Sequence, residues 1–306
     1  IGNTLTLGQY QEFSLYLIFV FFPLAQLGII ITQMSQASAS AERIFLILDS
    51  EDRVPSAPDG SPDPEHISDI IFENVCFSYV PAEPVLKDVS FRVQAGKTLA
   101  LVGPTGSGKS SVIHLIIRFY APDQGRILIS GKEISRWNPE NLRARMALVA
   151  QDPFIFSATV RENIIGGNGR IGDEQMERII DAACCRNLIR RLPRGLDTVL
   201  SEGGSSLSSG ERQLIAMARA IARDPELIIL DEATSYIDSG TEQDIQQAMA
   251  NLMKGRTSIL VAHRLATARS ADQILLLKDG RIVESGTHAE LMTRKEFYWR
   301  LNLVQG

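Results

Sequence analysis

Residues 103–110 read GPTGSGKS, between the apolar run KTLALVG (97–103) and SSVIHLIIRFY (110–120). The spacing Gly-x-x-x-x-Gly-Lys-Ser, entered from a strand and left by a helix, predicts a phosphate-binding loop. Glycines let the backbone curl until successive N–H groups converge on phosphate oxygens. The first turn of the helix adds the positive end of its dipole. Gly103, Pro104, Thr105, Gly106, Ser107, Gly108, Lys109, Ser110 and Ser111 are therefore candidate phosphate contacts. Among them Lys109 supplies a cation for β- and γ-phosphates, and Ser110 offers a hydroxyl to Mg²⁺.

Working outward, LIILDE (227–232) is a second apolar strand ending in two carboxylates. The carboxyl ends of strands are where open α/β sheets gather their ligand chemistry. Asp231 is expected to hold Mg²⁺ and Glu232 to polarise the attacking water. His263 ends SILVAH (258–263), and Gln151 ends ALVAQ (147–151), with an amide able to reach the metal or the water. The segment LSSGERQ (207–213) opens another helix, with Ser208, Ser209 and Gly210 at a cap where small residues allow close backbone approach.

The remaining pattern predicts the architecture. IIFENVCFSYV (70–80) and VLKDVSFRV (85–93) read as a small antiparallel sheet, and QILLLKDGRIVESG (273–286) as a hairpin on Asp279-Gly280. Residues 140–223 are mostly helical in pattern, and EFYWRLNLVQG (296–306) is a helical tail. Strands alternating with helices imply a mainly parallel, doubly wound α/β sheet.

The N-terminal part differs. No charged residue occurs between Phe13 and Ala41, and FSLYLIFVFFPLAQLGIII (13–31) is long and apolar enough to cross a bilayer as a helix. Membrane helices tolerate a proline such as Pro23. The opening IGNTLTLGQ lacks the basic region of a signal peptide. Arg43, the first basic residue beyond the apolar run, places that end in the cytosol. VPSAPDGSPDPEH (54–66) reads as a linker. The domains expected are 1–50 (membrane helix and its extension), 51–69 (linker) and 70–306 (nucleotide-binding domain).

The composition bounds the rest. With 31 basic and 36 acidic side chains the formal charge is −5, which gives no global attraction for nucleic acid, so no nucleic-acid partner is expected. Three cysteines, Cys76, Cys184 and Cys185, lack metal-ligand spacing and read as buried or half-buried thiols.

In their order, Tyr79, residues 103–110, Gln151, LSSGE (207–211), Asp231-Glu232 and His263 resemble the nucleotide-binding domain of ATP-binding-cassette (ABC) transporters. The likeness covers about Ile70 to the C-terminus. The phrase ASAERIF (39–45) after the apolar helix resembles the last transmembrane helix of exporter-type half-transporters, so five upstream helices of the usual six would be missing. The resemblance implies a P-loop NTPase cassette: a RecA-like, mainly parallel sheet, an antiparallel β-subdomain and a helical signature subdomain, preceded by one transmembrane-type helix.

It also implies roles. Tyr79 stacks on adenine. Two cassettes close head to tail on two ATP molecules, each site joining one chain's phosphate loop to Ser208 and Gly210 of a second half-transporter, in a homo- or heterodimer. Glu232 is the catalytic base, His263 contacts the γ-phosphate, and Asp238 communicates between the sites. Phe154, Phe156 and Glu202 touch the membrane part. The family implies ATP and Mg²⁺ as cofactors, export of a substrate across the cell (inner) membrane, and a cytoplasmic cassette. The alternative is a soluble ABC ATPase doing mechanical work without transport. Two departures stand out: LSSGE replaces the family's LSGGQ, and SYID (235–238) replaces SALD. Altered signatures of this kind occur in heterodimeric exporters with one weakened site.

Overall fold

The computed structural model describes residues 6–49, 54, 62–167, 169, 171–231, 239–262 and 265–305. Two compact units divide the chain, Ile1–Arg53 and Val54–Gly306.

Among the described residues the first unit is one helix, α1, Leu7–Leu48. Thr6 caps it: its hydroxyl accepts from the Gln9 N–H, and the Gln9 side chain accepts from the Thr6 N–H. Over 42 residues it runs about 60 Å at the usual helical rise. Its length and composition suffice to cross a membrane, and none of its apolar stretch is buried within the chain. The hydroxyls of Ser14, Thr32 and Ser35 each donate to the carbonyl four residues back, on Tyr10, Gly28 and Ile31. Polar groups satisfied inside the helix in this way are compatible with a hydrocarbon surrounding.

In the second unit, ten strands among the described residues form two sheets. The antiparallel one runs β2 (Pro84–Gln94), β1 (Asp69–Ser78), β4 (Gln124–Ile129), β5 (Lys132–Glu133). The six-stranded one runs β10 (Arg281–Gly286), β9 (Gln273–Lys278), β3 (Thr98–Val102), β8 (Thr257–Val261), β7 (Leu227–Asp231), β6 (Met146–Val149). All its pairings are parallel except that of β10 with β9. That hairpin turns on Asp279 and Gly280, both with positive φ, as the Asp-Gly signal requires.

Burial explains the strand sequences. In β3, β7 and β8 nearly every residue is buried, which is why these strands read as unbroken apolar runs. Alternate residues face opposite cores. Leu99, Leu101, Ile229 and Ile259 join the core beneath the antiparallel sheet, while Ala100, Val102, Ile228 and Leu260 join the core under the helices. The helices that follow β3 and β5 are α2 (Lys109–Ile116) and α3 (Pro139–Ala144). Between β6 and β7 lie α4 (Val160–Ile165), α5 (Asp173–Ala182), α6 (Arg186–Arg191) and α7 (Ser209–Ala222). The chain closes with α8 (Ser239–Met253), α9 (Leu265–Ala268), α10 (His288–Arg294) and α11 (Phe297–Gln305).

Helix α2 is shorter than the stretch 110–120 predicted. The chain turns at Arg118, whose φ is 59°. Its side chain is buried and donates to the carbonyls of Trp137 (2.6 Å) and Ser135 (3.1 Å). A buried guanidinium needs such acceptors, and reaching them ends the helix.

Residues 62–68 are tied to this unit. Asp63 accepts from Lys132 Nζ (3.1 Å), Asn141 Nδ2 (2.9 Å) and the Asn138 N–H (3.4 Å). Arg145 donates to the Pro64 and Glu65 carbonyls, and Glu226 accepts from the Ile67 N–H at 2.6 Å. Burial pushes the Asp63 carboxyl up, but the bonds from Asn141, Lys132 and Asn138 outweigh it and hold the group below its ordinary value. The contribution to stability is therefore complete above the ordinary carboxylate range and lost as pH falls through the lower, folded value. Asp63→Asn is expected to lower the stability of this unit by about 2 kcal/mol at neutral pH. In thermal unfolding, the gap to wild type should close below that range; a gap independent of pH would contradict the assignment.

Candidate functional site

The phosphate loop leaves β3 at Gly103 and enters α2 at Lys109, so its backbone curls at the carboxyl edge of the parallel sheet. Gly108, at φ 104°, caps α2. A side chain there would meet Leu86 Cδ2 at 2.6 Å, in addition to the strain of the left-handed backbone. At Gly103 an added Cβ would collide with the Leu277 carbonyl oxygen, so β9 packs directly on the loop. Lys109 is 5% exposed. Its ammonium folds back over the loop and donates to the carbonyls of Gly103 (2.8 Å) and Pro104 (2.9 Å). The Ser107 hydroxyl is buried with no hydrogen-bond partner among the described residues, a polar group in want of a ligand. Ser110 is exposed at the first turn of α2. Thr105 and Gly106 are exposed on the loop itself.

Tyr79 follows β1 and is 43% exposed. Its hydroxyl lies 3.1 Å from Ser111 Oγ and 2.8 Å from His114 Nδ1, both on α2. Its ring meets Phe77 and Tyr120 edge-on, at 81° and 87°. Ser111 is buried, so its hydroxyl serves this anchor. The structure thus brings Tyr79 beside the loop: both Tyr79 and Gly106 line one open depression of about 400 Å³, with Glu83, Lys87 and Gly280. An aromatic face, converging backbone donors and a cation are the elements that hold a purine nucleotide. His114 escaped the sequence reading, which gave it no role; its place four residues after Ser110 is the signal that could have marked it.

Asp231 ends β7 half-buried, paired in register with Val261 of the adjacent β8. Gln151 lies two residues beyond β6 at the same sheet edge. Glu232, Asp238 and His263 lie outside the described residues. Ser110, Gln151 and Asp231 offer only oxygens, the donor type that suits Mg²⁺. Among the described residues no group of three or more His, Cys, Asp or Glu could hold a metal. A small oxygen set completed by phosphates fits the way nucleotide enzymes hold this ion.

The signature segment is a cap. Ser208 Oγ accepts from the Glu211 N–H at 3.2 Å, and Glu211 Oε2 accepts from the Ser208 N–H at 2.8 Å, a capping box at the start of α7. Gly210 is buried in the first turn. The Glu211 carboxylate also pairs with Arg191 at the end of α6. Charge at this position is thus compensated within the chain, which the letters LSSGE do not reveal.

Further along α7, side chains reach back to the loop that carries Gln151. Gln213 Nε2 donates to the carbonyls of Gln151 (2.8 Å) and Ala150 (3.3 Å). Arg212 lies 3.6 Å from Asp152. Arg219 donates to the carbonyls of Phe154 (3.0 Å) and Asn163 (2.8 Å) and covers the Phe156 ring. Burial lowers the Arg219 pKa, and these acceptors offset its lost hydration. The signature helix and the Gln151 loop are therefore tied together by side chain–backbone bonds. Sequence reasoning missed this coupling. Phe154 and Phe156 form an exposed edge-to-face pair, and Glu202 is exposed as well. Cys76 and Cys184 are half-buried and Cys185 is buried. Burial pushes the Cys185 thiol up to about 12, which leaves it inert at neutral pH.

Residues 86–235 match the family model described as ABC transporter, a span running from β2 past the end of β7. The chain is 45% identical over 90% of its length to an uncharacterized ABC transporter ATP-binding protein, YfiC, of Bacillus subtilis, covering 46% of it. It is 41% identical over 97% of its length to a fatty acid ABC transporter ATP-binding/permease protein of Mycobacterium bovis, covering 47% of it. The chain therefore spans about half the length of these curated relatives. A solved bacterial Atm1-family ABC exporter with ATP bound superposes with a TM-score of 0.80 at 36% identity, over 99% of this chain and 53% of that one. Loop, capped signature helix and carboxylate-ended strand thus stand in the order and fold of these relatives, and the chain belongs to the ABC transporter family.

Proposed function

We propose that the chain is part of an ATP-driven exporter: it binds and hydrolyses ATP and couples hydrolysis to transport across a membrane. The observation that carries this reading is the open depression that Tyr79 and Gly106 line together, at the loop whose Gly103 and Pro104 carbonyls hold Lys109. Backbone N–H groups of the loop, Pro104 excepted because proline has none, bind the phosphates, and Tyr79, held by Ser111 and His114, stacks on adenine. Ser110 and Asp231 hold Mg²⁺, with Gln151 within the same edge of the sheet. When bound, the ion neutralises charge on the β- and γ-phosphates. Glu232 accepts the proton of the attacking water, and His263 contacts the γ-phosphate.

Ser208 and Gly210 have no triphosphate of their own chain to serve in this reading. They complete the site of a second half-transporter, and its signature completes this one. Helix α1 anchors the chain in the cell membrane with the cassette in the cytoplasm, Arg43 marking the cytoplasmic side. Phe154, Phe156 and Glu202 receive the movement of the membrane part. The cargo is set by that part.

Complementation tests the shared site. Lys109→Ala and Ser208→Arg chains are each expected to be inactive, and their mixture to regain ATPase activity, because one intact loop then faces one intact signature. The wild-type rate per chain should also rise with chain concentration. A rate flat with concentration and no recovery on mixing would show that each chain completes its own site.

A further inference from the structure

The signature departs from the family at Glu211, and the structure pairs that residue with Arg191. Both carboxylate oxygens are occupied: Oε2 takes the Ser208 N–H at 2.8 Å and Oε1 the guanidinium of Arg191. A glutamine would keep the first bond through its amide oxygen, since either Glu or Gln closes a capping box. Only the carboxylate binds the guanidinium as an ion pair. Its side chain is 12% exposed and that of Arg191 is 66% exposed, so the acid is the more desolvated partner. Arg191 is well placed to hold it, standing in the last turn of α6, where a cation also favours the helix dipole. Ser208, Glu211 and Arg191 line one depression of about 410 Å³, closed by Asn187, Thr241 and Asp244.

We infer that Arg191 is a positioning residue of the signature segment. It neutralises Glu211 and holds the capping box closed, so that Ser208 and Gly210 can meet the triphosphate of a second cassette without an opposing charge. The inference rests on the shared-site reading above. Without Arg191, a carboxylate on the same cap as Ser208 stands against the incoming phosphates. Without Glu211, Arg191 loses its paired carboxylate and keeps only Asp244 as an acid within the same depression, among the described residues. The two residues therefore act as a unit, and the deviant signature is a compensated form.

The test is self-association of the full chain driven by a non-hydrolysable ATP analogue, followed by sedimentation. Wild type, Arg191→Ala, Glu211→Gln and the double variant are compared, each with its unfolding midpoint and its affinity for the analogue at dilutions where the chain is monomeric. Arg191→Ala is expected to raise the analogue concentration needed for association by about tenfold, within the range seen for coupled pairs. Adding Glu211→Gln should restore it to near wild type, and raising the salt should shrink the Arg191→Ala defect. Unfolding midpoint and monomer affinity should barely move. A defect of equal size with and without Glu211→Gln would reduce Arg191 to a structural tether and overturn the inference. Wild-type chains that bind the analogue yet never associate would instead overturn the shared-site reading, and with it this one.

Discussion

Glu232→Gln is expected to slow ATP hydrolysis by about a thousandfold, the range supplied by a general base, while ATP affinity stays within a small factor of wild type. The residue follows Asp231 directly at the carboxyl end of β7, in a strand buried on both faces up to its last residue. Such a strand fixes the position of Asp231 itself. A glutamine keeps the size and polarity of the side chain but cannot accept a proton at neutral pH. The substrate contacts proposed for the phosphate loop, Lys109 and Tyr79 do not depend on that proton. Steady-state hydrolysis and equilibrium binding of a fluorescent ATP analogue separate the two effects. A parallel loss of binding would make the carboxylate a structural group, and unchanged turnover would move the base elsewhere.

What could be read from the sequence divides along physical lines. The phosphate loop, the Asp279-Gly280 hairpin and the apolar strands β3, β7 and β8 are legible because each is decided by local rules: backbone freedom at glycine, positive φ in a two-residue turn, and burial on both faces of a parallel sheet. The capping box at Ser208 and Glu211 is legible in the same way. What escaped rests on side chains that cross long stretches of sequence to find backbone carbonyls. Arg118 turns the chain at the end of α2 because its acceptors lie on residues 135 and 137. Gln213 binds the carbonyl of Gln151, sixty-two residues away. Asp63, in a stretch whose Pro, Ser and Asp content reads as linker, is gathered in by Lys132, Asn138 and Asn141. Composition has no access to such partners. Within the candidate site, the loop and the position of Tyr79 beside it follow from the sequence and its family likeness, whereas the anchors His114 and Ser111 and the counter-ion Arg191 emerge only in three dimensions.

The second large effect concerns Lys109. Lys109→Ala is expected to weaken ATP binding by about a hundredfold, which corresponds to about 3 kcal/mol and is the scale of a charge-assisted hydrogen bond in a sheltered site. The ammonium is buried yet satisfied, because the carbonyls of Gly103 and Pro104 accept from it. Those same carbonyls fix it beside the loop, so phosphate oxygens would meet a cation that has already lost much of its hydration and its rotamer freedom. Alanine removes the charge and its two bonds to the Gly103 and Pro104 carbonyls, but leaves the close packing of Gly108 on Leu86 and of Gly103 on the Leu277 carbonyl. The unliganded chain should still unfold in one cooperative transition, its midpoint lowered by a few degrees at most through the loss of those two bonds, which distinguishes loss of a contact from loss of the fold. Lys109→Arg should fail nearly as badly, since a planar guanidinium does not fit where a compact ammonium bridges two adjacent carbonyls. Equilibrium titration of the three proteins with a fluorescent ATP analogue decides the matter. An unchanged affinity in Lys109→Ala would remove the loop from the nucleotide site, and recovery by Lys109→Arg would mean that charge alone, and not the folded-back geometry, provides the binding.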